Sequence, residues 1–250
     1  MNSGGSFSIK EALKAAWENF SSNVVKCLLL STTYFLLLIP SRMAFDTWLK
    51  VSENVVITPQ NMQEYFSNSV VPKLPLLGFA SLYTIFLSIL ATYFFVTAAM
   101  TFRSRHHTLG ILPRLSLSNF FRFFLARGIF LLKVLLGLCL LVIPGIYLYL
   151  KNIFAGFSII QHPTTTRSQD TAITHSLTYG VKMKLLLLLI LQVIAQSAVE
   201  GLVQGSIPLG FVASFVNALI FLFFTLAFVD SYFQLQASKG LKQADLSYPV

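Results

Sequence analysis

Charged residues are scarce in this chain of 250 residues, and acidic residues are the scarcest. Asp, Glu, Lys and Arg together make up 11% of the sequence, and nine of these residues are acidic. A soluble domain carries about 25% charged residues, so this composition excludes a water-soluble surface. Disordered chains are polar and highly charged, whereas hydrophobic residues make up 55% of this chain. The composition therefore predicts an integral membrane protein, with residues 1–250 forming one polytopic domain.

Cysteines and recognisable catalytic motifs are equally few. Cys27 and Cys139 fall in apolar runs at opposite faces of the predicted bilayer, too far apart for a disulfide. The sequence contains no Gly-x-Ser-x-Gly, no His-Glu-x-x-His and no phosphate-binding loop. The adjacent His106 and His107 stand far from acidic residues, and a metal site needs three or four ligands. We therefore expect no enzymatic activity, no metal and no other cofactor.

Six apolar segments are predicted to cross the membrane, since a spanning helix needs about 20 apolar residues. The predicted spans are 24–41, 74–102, 124–143, 145–161, 185–202 and 209–230. The third and fourth spans are separated at Pro144-Gly145, because this dipeptide signals a turn. A re-entrant hairpin over 128–160 is the alternative. Asp230 is expected to close the last span.

The basic residues predict the orientation. A net charge of +9 would suggest a nucleic-acid partner in a soluble protein, but Lys and Arg also collect in the cytoplasmic loops of membrane proteins. With the N-terminus inside, 13 of the 18 Lys and Arg lie in cytoplasmic segments and three lie outside. The distribution predicts that both termini are cytoplasmic and that nucleic acid is not a partner.

An internal repeat organises the predicted spans. Three segments that precede a span place small or apolar residues at i, i+1, i+4, i+5 and i+8, the spacing of one helix face. These faces are Ala12, Leu13, Ala16, Trp17 and Phe20; Phe120, Phe121, Phe124, Leu125 and Gly128; and Ala172, Ile173, Ser176, Leu177 and Gly180. The spans that follow approach Ile39-Pro40, Ile143-Pro144 and Ile207-Pro208, where Pro is expected to end a helix. The predicted fold class is an all-α integral membrane protein with about six transmembrane helices in three hairpin-like units, each led by a cytoplasmic interfacial helix.

The same segments resemble a known bacterial family. EALKAAWENFSSN at 11–23, IPGIYLYLKNIFAGFSII at 143–160 and DTAITHSLTYGVKMK at 170–184 are similar to a family of polytopic membrane proteins. This family is related to the membrane domain found in front of some glycerophosphodiester phosphodiesterases, and it includes small stand-alone members of unknown function. Trp17 matches the Trp usual in the first unit, whereas Leu177 stands where the third unit has Trp. The resemblance implies a bacterial inner-membrane bundle and not the phosphodiesterase activity, which belongs to a separate soluble domain.

Polar residues inside the fifth predicted span form a candidate functional stripe. Gln192, Gln196, Glu200 and Gln204 recur every four residues. Polar groups at membrane depth are costly and therefore mark functional sites by default. The stripe is either one wall of a polar path or a set of interhelical hydrogen bonds.

Two lysines inside predicted spans are candidates for ion pairs. Lys133 lies near the inner boundary and Lys151 near the outer one. We expect Lys151 to pair with Glu200 and Lys133 to pair with Asp230, unless each lysine instead extends its ammonium group to the nearest interface.

A run of arginines without any acidic residue predicts contacts with anionic lipid headgroups on the cytoplasmic side, at about 1 kcal/mol per basic residue. The candidates are Arg103, Arg105, Arg114, Arg122 and Arg127. The alternative is that these residues only set the orientation of the chain.

The expected function is a non-enzymatic multi-pass inner-membrane protein, an accessory or envelope-associated factor whose partner is the lipid bilayer. The alternative is a small transporter or channel that uses the polar stripe, because internal repeats are common in transporters. A lipid-modifying enzyme would need clustered acid–base groups, and its candidates His106, His107 and His175 lack nearby carboxylates.

Overall fold

The computed structural model describes residues 7–53, 74–103, 117–140, 142–162, 165–202 and 207–239. All regular structure in these ranges is α-helical. The helices are α1 (Ile9–Ser22), α2 (Val24–Glu53), α3 (Leu74–Arg103), α4 (Leu117–Leu140), α5 (Val142–Asn152), α6 (Ala155–Gln161), α7 (Arg167–Thr178), α8 (Lys182–Leu202) and α9 (Ile207–Ser238). The prediction of an all-α protein is confirmed for this part of the chain.

Within the described ranges, four stretches are long and apolar enough to cross a membrane. They are Ser81–Phe102, Ile143–Gln161, Lys182–Gly201 and Val212–Ser238. The pair Ile9–Ser22 and Val24–Leu37 adds a fifth if it counts as one broken span, although its two helices are bent by 89°. Long apolar helices of this kind are those of a membrane protein.

The long helices form a bundle held together by aromatic side chains. The rings of Tyr34 on α2 and Phe95 on α3 lie 5.6 Å apart, and Phe95 lies 5.7 Å from Phe221 on α9. Phe35 on α2 also contacts Phe215 on α9, at 6.1 Å between ring centroids. Aromatic pairs at 4.5–7 Å contribute beyond the area that they bury, so α2, α3 and α9 share one core.

Helix α1 packs against α9. Ser8 caps α1, since its hydroxyl oxygen accepts a hydrogen bond from the Glu11 N–H at 3.4 Å. The Ser8 N–H donates to Gln234 Oε1 on α9 at 3.3 Å. At the other end of α1, Phe20 lies 6.2 Å from Phe223. Helix α1 therefore lies antiparallel along the second half of α9.

Helices α4 and α5 form a close hairpin. A Cβ atom on Gly137 would lie 2.9 Å from the Cα of Gly145, so the absence of a side chain allows the two backbones to approach each other. The break in 142–161 lies at Ile153 and Phe154, between α5 and α6. Pro144 lies in the first turn of α5, where proline costs no helical hydrogen bond.

Three predicted boundaries were wrong. Pro40 lies inside α2, which continues to Glu53 instead of ending near residue 41. Asp230 does not close the last span, because α9 continues to Ser238 and buries Asp230 to 2% exposure. The second predicted interfacial helix is not separate, since 120–128 is continuous with the rest of α4. By contrast, α1 and α7 are separate helices, and Gly180 with φ +80° follows α7.

Candidate functional site

A buried carboxylate joins three helices at one end of the bundle. Asp170 on α7 is 3% exposed. Its Oδ2 accepts a hydrogen bond from Arg122 Nη2 on α4 at 3.2 Å. Its Oδ1 accepts bonds from Ser158 Oγ on α6 at 2.8 Å and from Thr165 Oγ1 at 2.7 Å. Buried charges need such partners to offset the loss of hydration. We call these four residues the Asp170 cluster.

The start of α7 places Asp170 in this position. The Thr166 N–H donates to Gln169 Oε1 at 2.7 Å, which is one half of a capping box and fixes where the helix begins. Asp170 follows in the first turn of α7, where a carboxylate is stabilised by the positive end of the helix dipole. Arg122 also donates to the carbonyl oxygen of Thr165, so one guanidinium group holds both the helix and the segment before it.

A groove of about 300 Å³ begins beside the Asp170 cluster and follows α4. Its walls come from α4 on one side and from α5, α6 and α7 on the other. Its polar residues are Arg122, Lys133, Asn152, Thr171 and Asp170, whose charge is paired with Arg122, and its apolar residues include Leu125, Ile129, Phe130 and Ile159. We call this surface the basic groove. Because it combines basic and apolar residues, it suits an anionic amphiphile.

The two basic residues of the groove differ in their pairing. The Arg122 side chain is 29% exposed and pairs with Asp170. Lys133 is exposed, and no ion pair to it occurs among the residues described. Lys133 follows Arg122 by 11 residues, which is about 16 Å along a helix. The groove therefore has a paired cation at one end and an unpaired cation at the other.

The predicted arginine set divides in the structure. Arg122 lines the basic groove, whereas the half-buried Arg127 lines a different pocket between the helices. The side chains of Arg103, Arg105 and Arg114 lie outside the described residues. Contacts of all five with anionic lipid remain a prediction.

This second pocket has a volume of about 60 Å³, is partly open, and lies between α3, α4, α5, α6, α8 and α9. Its polar lining residues are Thr92, Arg127, Tyr149, Gln192 and Thr225. We call it the central cavity. Thr92 and Gln192 lie near the middle of the candidate spans Ser81–Phe102 and Lys182–Gly201. The central cavity is therefore at membrane depth.

The structure separates the members of the predicted polar stripe. Gln192 lines the central cavity, and Gln196 is half-buried. Glu200 is exposed, and its Oε1 accepts a hydrogen bond from Asn217 Nδ2 on α9 at 3.1 Å. Gln204 lies outside the described residues. Since 17% of the α8 span is buried within the structure, most of α8 faces outward, and these side chains do not line one continuous path.

The predicted pair of Lys151 and Glu200 is wrong. Lys182 Nζ at the start of α8 lies 4.0 Å from the centroid of the Tyr147 ring on α5. Lys151 is one turn from Tyr147, whereas Glu200 follows Lys182 by 18 residues, about 27 Å along α8. Glu200 instead accepts a hydrogen bond from Asn217, and no ion pair between Lys151 and Glu200 occurs among the residues described.

Asp230 lies in a buried polar environment on α9. Its Oδ2 accepts a hydrogen bond from Gln234 Nε2 at 2.6 Å, and Gln234 in turn bonds the Ser8 N–H. This carboxylate thus supports the contact between α1 and α9. The predicted ion pair between Asp230 and Lys133 is not formed in the described part of the chain, where Lys133 is exposed.

His162 is a buried histidine next to the Asp170 cluster. Its Nε2 has no hydrogen-bond partner in the part of the chain that the structure describes. Burial lowers the pKa of His162 below its usual value of 6.5, and the nearby Asp170 acts in the opposite direction. His162 is therefore held neutral, which suits packing between helix ends. Among the described residues, no group of three or more His, Cys, Asp and Glu could hold a metal ion.

Sequence reasoning missed the Asp170 cluster. The one available signal was an acidic residue in the first turn of a predicted interfacial helix, in a chain with nine acidic residues. Nothing near Asp170 in the sequence pointed to Arg122, because Arg122 lies 48 positions earlier in the chain.

No known protein family, curated protein or solved structure matches this chain.

Proposed function

We propose that the chain is a non-enzymatic multi-pass membrane protein that binds anionic lipid in the basic groove. The observation that carries this proposal is the combination of Arg122, the unpaired Lys133 and apolar walls in one groove. In this proposal the protein is an accessory or envelope-associated factor of the bacterial inner membrane, with six spans in three units and both termini in the cytoplasm. The resemblance of its segments to the stand-alone membrane family supports the same placement.

The groove offers two different contacts to one lipid molecule. A phosphate near the Asp170 cluster would meet Arg122, whose geometry is fixed by Asp170 and Thr165. An acyl chain would pack along Ile129 and Phe130. Lys133 would extend its ammonium group along the groove toward the headgroup, as lysines near membrane interfaces do.

The test compares two lysines on neighbouring helices. The purified protein is incorporated into nanodiscs that contain phosphatidylglycerol and phosphatidylcholine, and the lipids retained after extraction with mild detergent are quantified by mass spectrometry. We expect Lys133→Gln to lower the retention of phosphatidylglycerol and Lys151→Gln, which is outside the groove, to leave it unchanged. Equal losses of phosphatidylglycerol in the two variants would show a general effect of charge and would overturn the proposal that the basic groove binds the lipid. Chemical conversion of the lipid during the incubation would overturn the non-enzymatic role.

A small transporter or channel is the second candidate, and the position of Gln192 favours it. This residue of the predicted stripe lines a cavity at membrane depth together with Arg127. Single cysteines at 192 and at 193, in a background in which Cys27 and Cys139 are replaced by Ala, give a matched comparison, because Val193 is exposed on the outward face of α8. A transport path predicts that a membrane-impermeant thiol reagent labels position 192 and not position 193. Absence of labelling at 192 would oppose transport.

A further inference from the structure

His162 and Thr165 lie between two anchored helix ends, and we call these two residues the α6–α7 corner. Helix α6 ends at Gln161, whose side-chain amide exchanges two hydrogen bonds with that of Gln236 on α9, at 3.3 Å and 3.1 Å. Helix α7 begins after Thr166, which is held by Gln169. The corner can therefore change its conformation while the helices on either side keep their own anchors.

The His162 side chain is buried in this corner without a partner for one of its nitrogens. The residue is 9% exposed, and its Nε2 has no hydrogen-bond partner among the residues described. A neutral imidazole needs a donor or an acceptor at that position, whereas an imidazolium ion donates from both nitrogens. Burying an ionised group without hydrogen-bond partners costs far more than burying a neutral one. The closed corner therefore excludes the protonated form of His162.

The neighbouring carboxylate does not remove this cost. Asp170 attracts a proton to His162, but its two oxygens already accept hydrogen bonds from Arg122 on one side and from two hydroxyl groups on the other. A protonated His162 would share one carboxylate with a guanidinium group of the same charge. The ionisable groups that surround the carboxylate from the packed helices are Arg122 on α4 and Tyr232 on α9. Further away, Arg127 lies beside Gly156, Asp230 is bonded to Gln234, His175 is exposed, and no described side chain of α3 is charged.

Thr165 connects His162 to the basic groove. Its N–H donates to the carbonyl oxygen of His162 at 3.2 Å, and its own carbonyl oxygen accepts a hydrogen bond from Arg122. The Thr165 hydroxyl also donates to Asp170 at 2.7 Å. Movement of His162 out of the corner therefore displaces Thr165, and Arg122 loses one of its acceptors. Because Arg122 lines the basic groove, its guanidinium group then has a donor available for a ligand.

We propose that His162 is an acid-sensitive switch that strengthens the binding of anionic lipid in the basic groove. A proton taken up by His162 moves its side chain from the corner into water, Thr165 moves with it, and Arg122 donates to the lipid phosphate in place of the Thr165 carbonyl oxygen. An exposed imidazole takes up the proton more readily than a buried one, so the closed corner predominates above about pH 6.5 and the open corner gains as the pH falls. This inference rests on the proposed lipid-binding function and adds its regulation.

The first test measures lipid retention at two pH values. The full-length protein in nanodiscs of phosphatidylglycerol and phosphatidylcholine is extracted at about pH 7.5 and at about pH 5.5, on either side of the usual histidine range. The phosphodiester of phosphatidylglycerol stays ionised at both. We expect its retention relative to phosphatidylcholine to rise at the lower pH by up to about tenfold, the effect of about one hydrogen bond to a charged group. His162→Gln should abolish the rise, and His175→Gln, which changes an exposed histidine of α7, should retain it.

The second test follows the corner without lipid. Hydrogen–deuterium exchange is measured on the protein in detergent micelles at the same two pH values and corrected for the intrinsic rate. We expect the backbone amides of Thr165 and Asp170, which are bonded in the closed corner, to lose protection in acid in the wild type and not in His162→Gln. Amides within α8 should keep theirs in both proteins.

The two tests separate the failure of the switch from the failure of the lipid site. An equal rise of lipid retention in the wild type and in His162→Gln would overturn the switch, and so would unchanged protection of the corner in acid. If His162→Gln does not fold, the exchange of the wild type decides by itself. Loss of the proposed lipid function has a different signature, which is equal retention in the wild type and in Lys133→Gln at both pH values while the corner still opens in acid.

Discussion

Asp170→Asn keeps the size of the side chain and removes the negative charge at the centre of the Asp170 cluster. An asparagine has one carbonyl oxygen, whereas the carboxylate accepts bonds from Arg122 on one oxygen and from Ser158 and Thr165 on the other. The amide NH₂ group must therefore face either the guanidinium group, which can only donate, or the two hydroxyl groups, which would have to turn and accept. In the first orientation the variant loses the bond to Arg122, and in the second it keeps only a neutral bond to Arg122 and loses the donation from the hydroxyls.

The expected loss in the free energy of unfolding follows from those hydrogen bonds. A hydrogen bond to a charged group contributes about 1.5–3 kcal/mol, and a neutral one contributes about 1 kcal/mol. Removing one partner of a fully buried ion pair costs about 3–5 kcal/mol, but the Arg122 side chain is 29% exposed and can hydrate after the change. We expect a loss of about 2–4 kcal/mol. For a chain of this length that corresponds to a fall of about 5–15 °C in melting temperature.

The assay is a thermal melt of the purified variants in one detergent, with an exposed ion pair as the control. Lys14 and Glu18 lie 3.9 Å apart with side chains 76% and 63% exposed, so Glu18→Gln should cost less than about 1 kcal/mol. The double variant Asp170→Asn with Arg122→Gln should lose less than the two single losses together, because both act on one contact. Additive losses, or a fall in melting temperature for Glu18→Gln as large as for Asp170→Asn, would refute the stabilising role of the Asp170 cluster.

Two further predictions concern packing and pH. Gly137→Ala should destabilise the protein by about 1–3 kcal/mol, because the new methyl group would meet the Gly145 backbone at 2.9 Å. A methyl group at Gly128 meets nothing within 4 Å, so Gly128→Ala should be neutral or stabilising. Equal melting temperatures of the two variants would contradict the close approach of α4 and α5. Burial lowers the pKa of His162 in the folded state below its usual 6.5, with Asp170 opposing that shift. Stability should therefore be fully present above about pH 6.5 and decline as the pH falls below that value, because the unfolded chain then takes up the proton more readily. Melts from about pH 8 to about pH 5 should show a smaller decline in His162→Gln, and the same decline in both proteins would exclude His162 as the cause.

Long uninterrupted apolar runs were predictable from sequence because a hydrophobic run of that length requires a helix in the membrane. The segment 74–102 is such a run, and α3 covers Leu74–Arg103. Boundaries that depend on tertiary contacts were not predictable. The charge of Asp230 predicts a helix end, but Gln234 donates a hydrogen bond to this carboxylate inside α9. Pro40 appeared to end α2, although a helix in a membrane protein tolerates proline where other groups satisfy the backbone.

In the candidate sites too, individual residues could be predicted from the sequence, whereas their partners could not. Arg122 and Gln192 were singled out because charge and amide groups are conspicuous in apolar sequence. Their surroundings come from helices far away in the chain: Asp170 follows Arg122 by 48 positions. Arg127 and Gln192 belong to different predicted units, and their shared cavity arises only when α4 and α8 pack against the same helices. The periodicity of one segment contains no information about such tertiary contacts between helices that are distant in the chain.

The contact between α1 and α9 sets an order for biogenesis. Helix α1 leaves the ribosome first among the described helices, but the residues that receive it, Phe223 and Gln234, come more than 200 positions later. At synthesis rates of about 5–20 residues per second, α1 waits roughly 10–40 s for its partner. During that time its apolar face, including Ala12 and Ala16, has to rest against lipid or a chaperone. The contact between α1 and α9 thus forms only after α9 has been made, and α1 then exchanges its transient neighbours for Phe223 and Gln234.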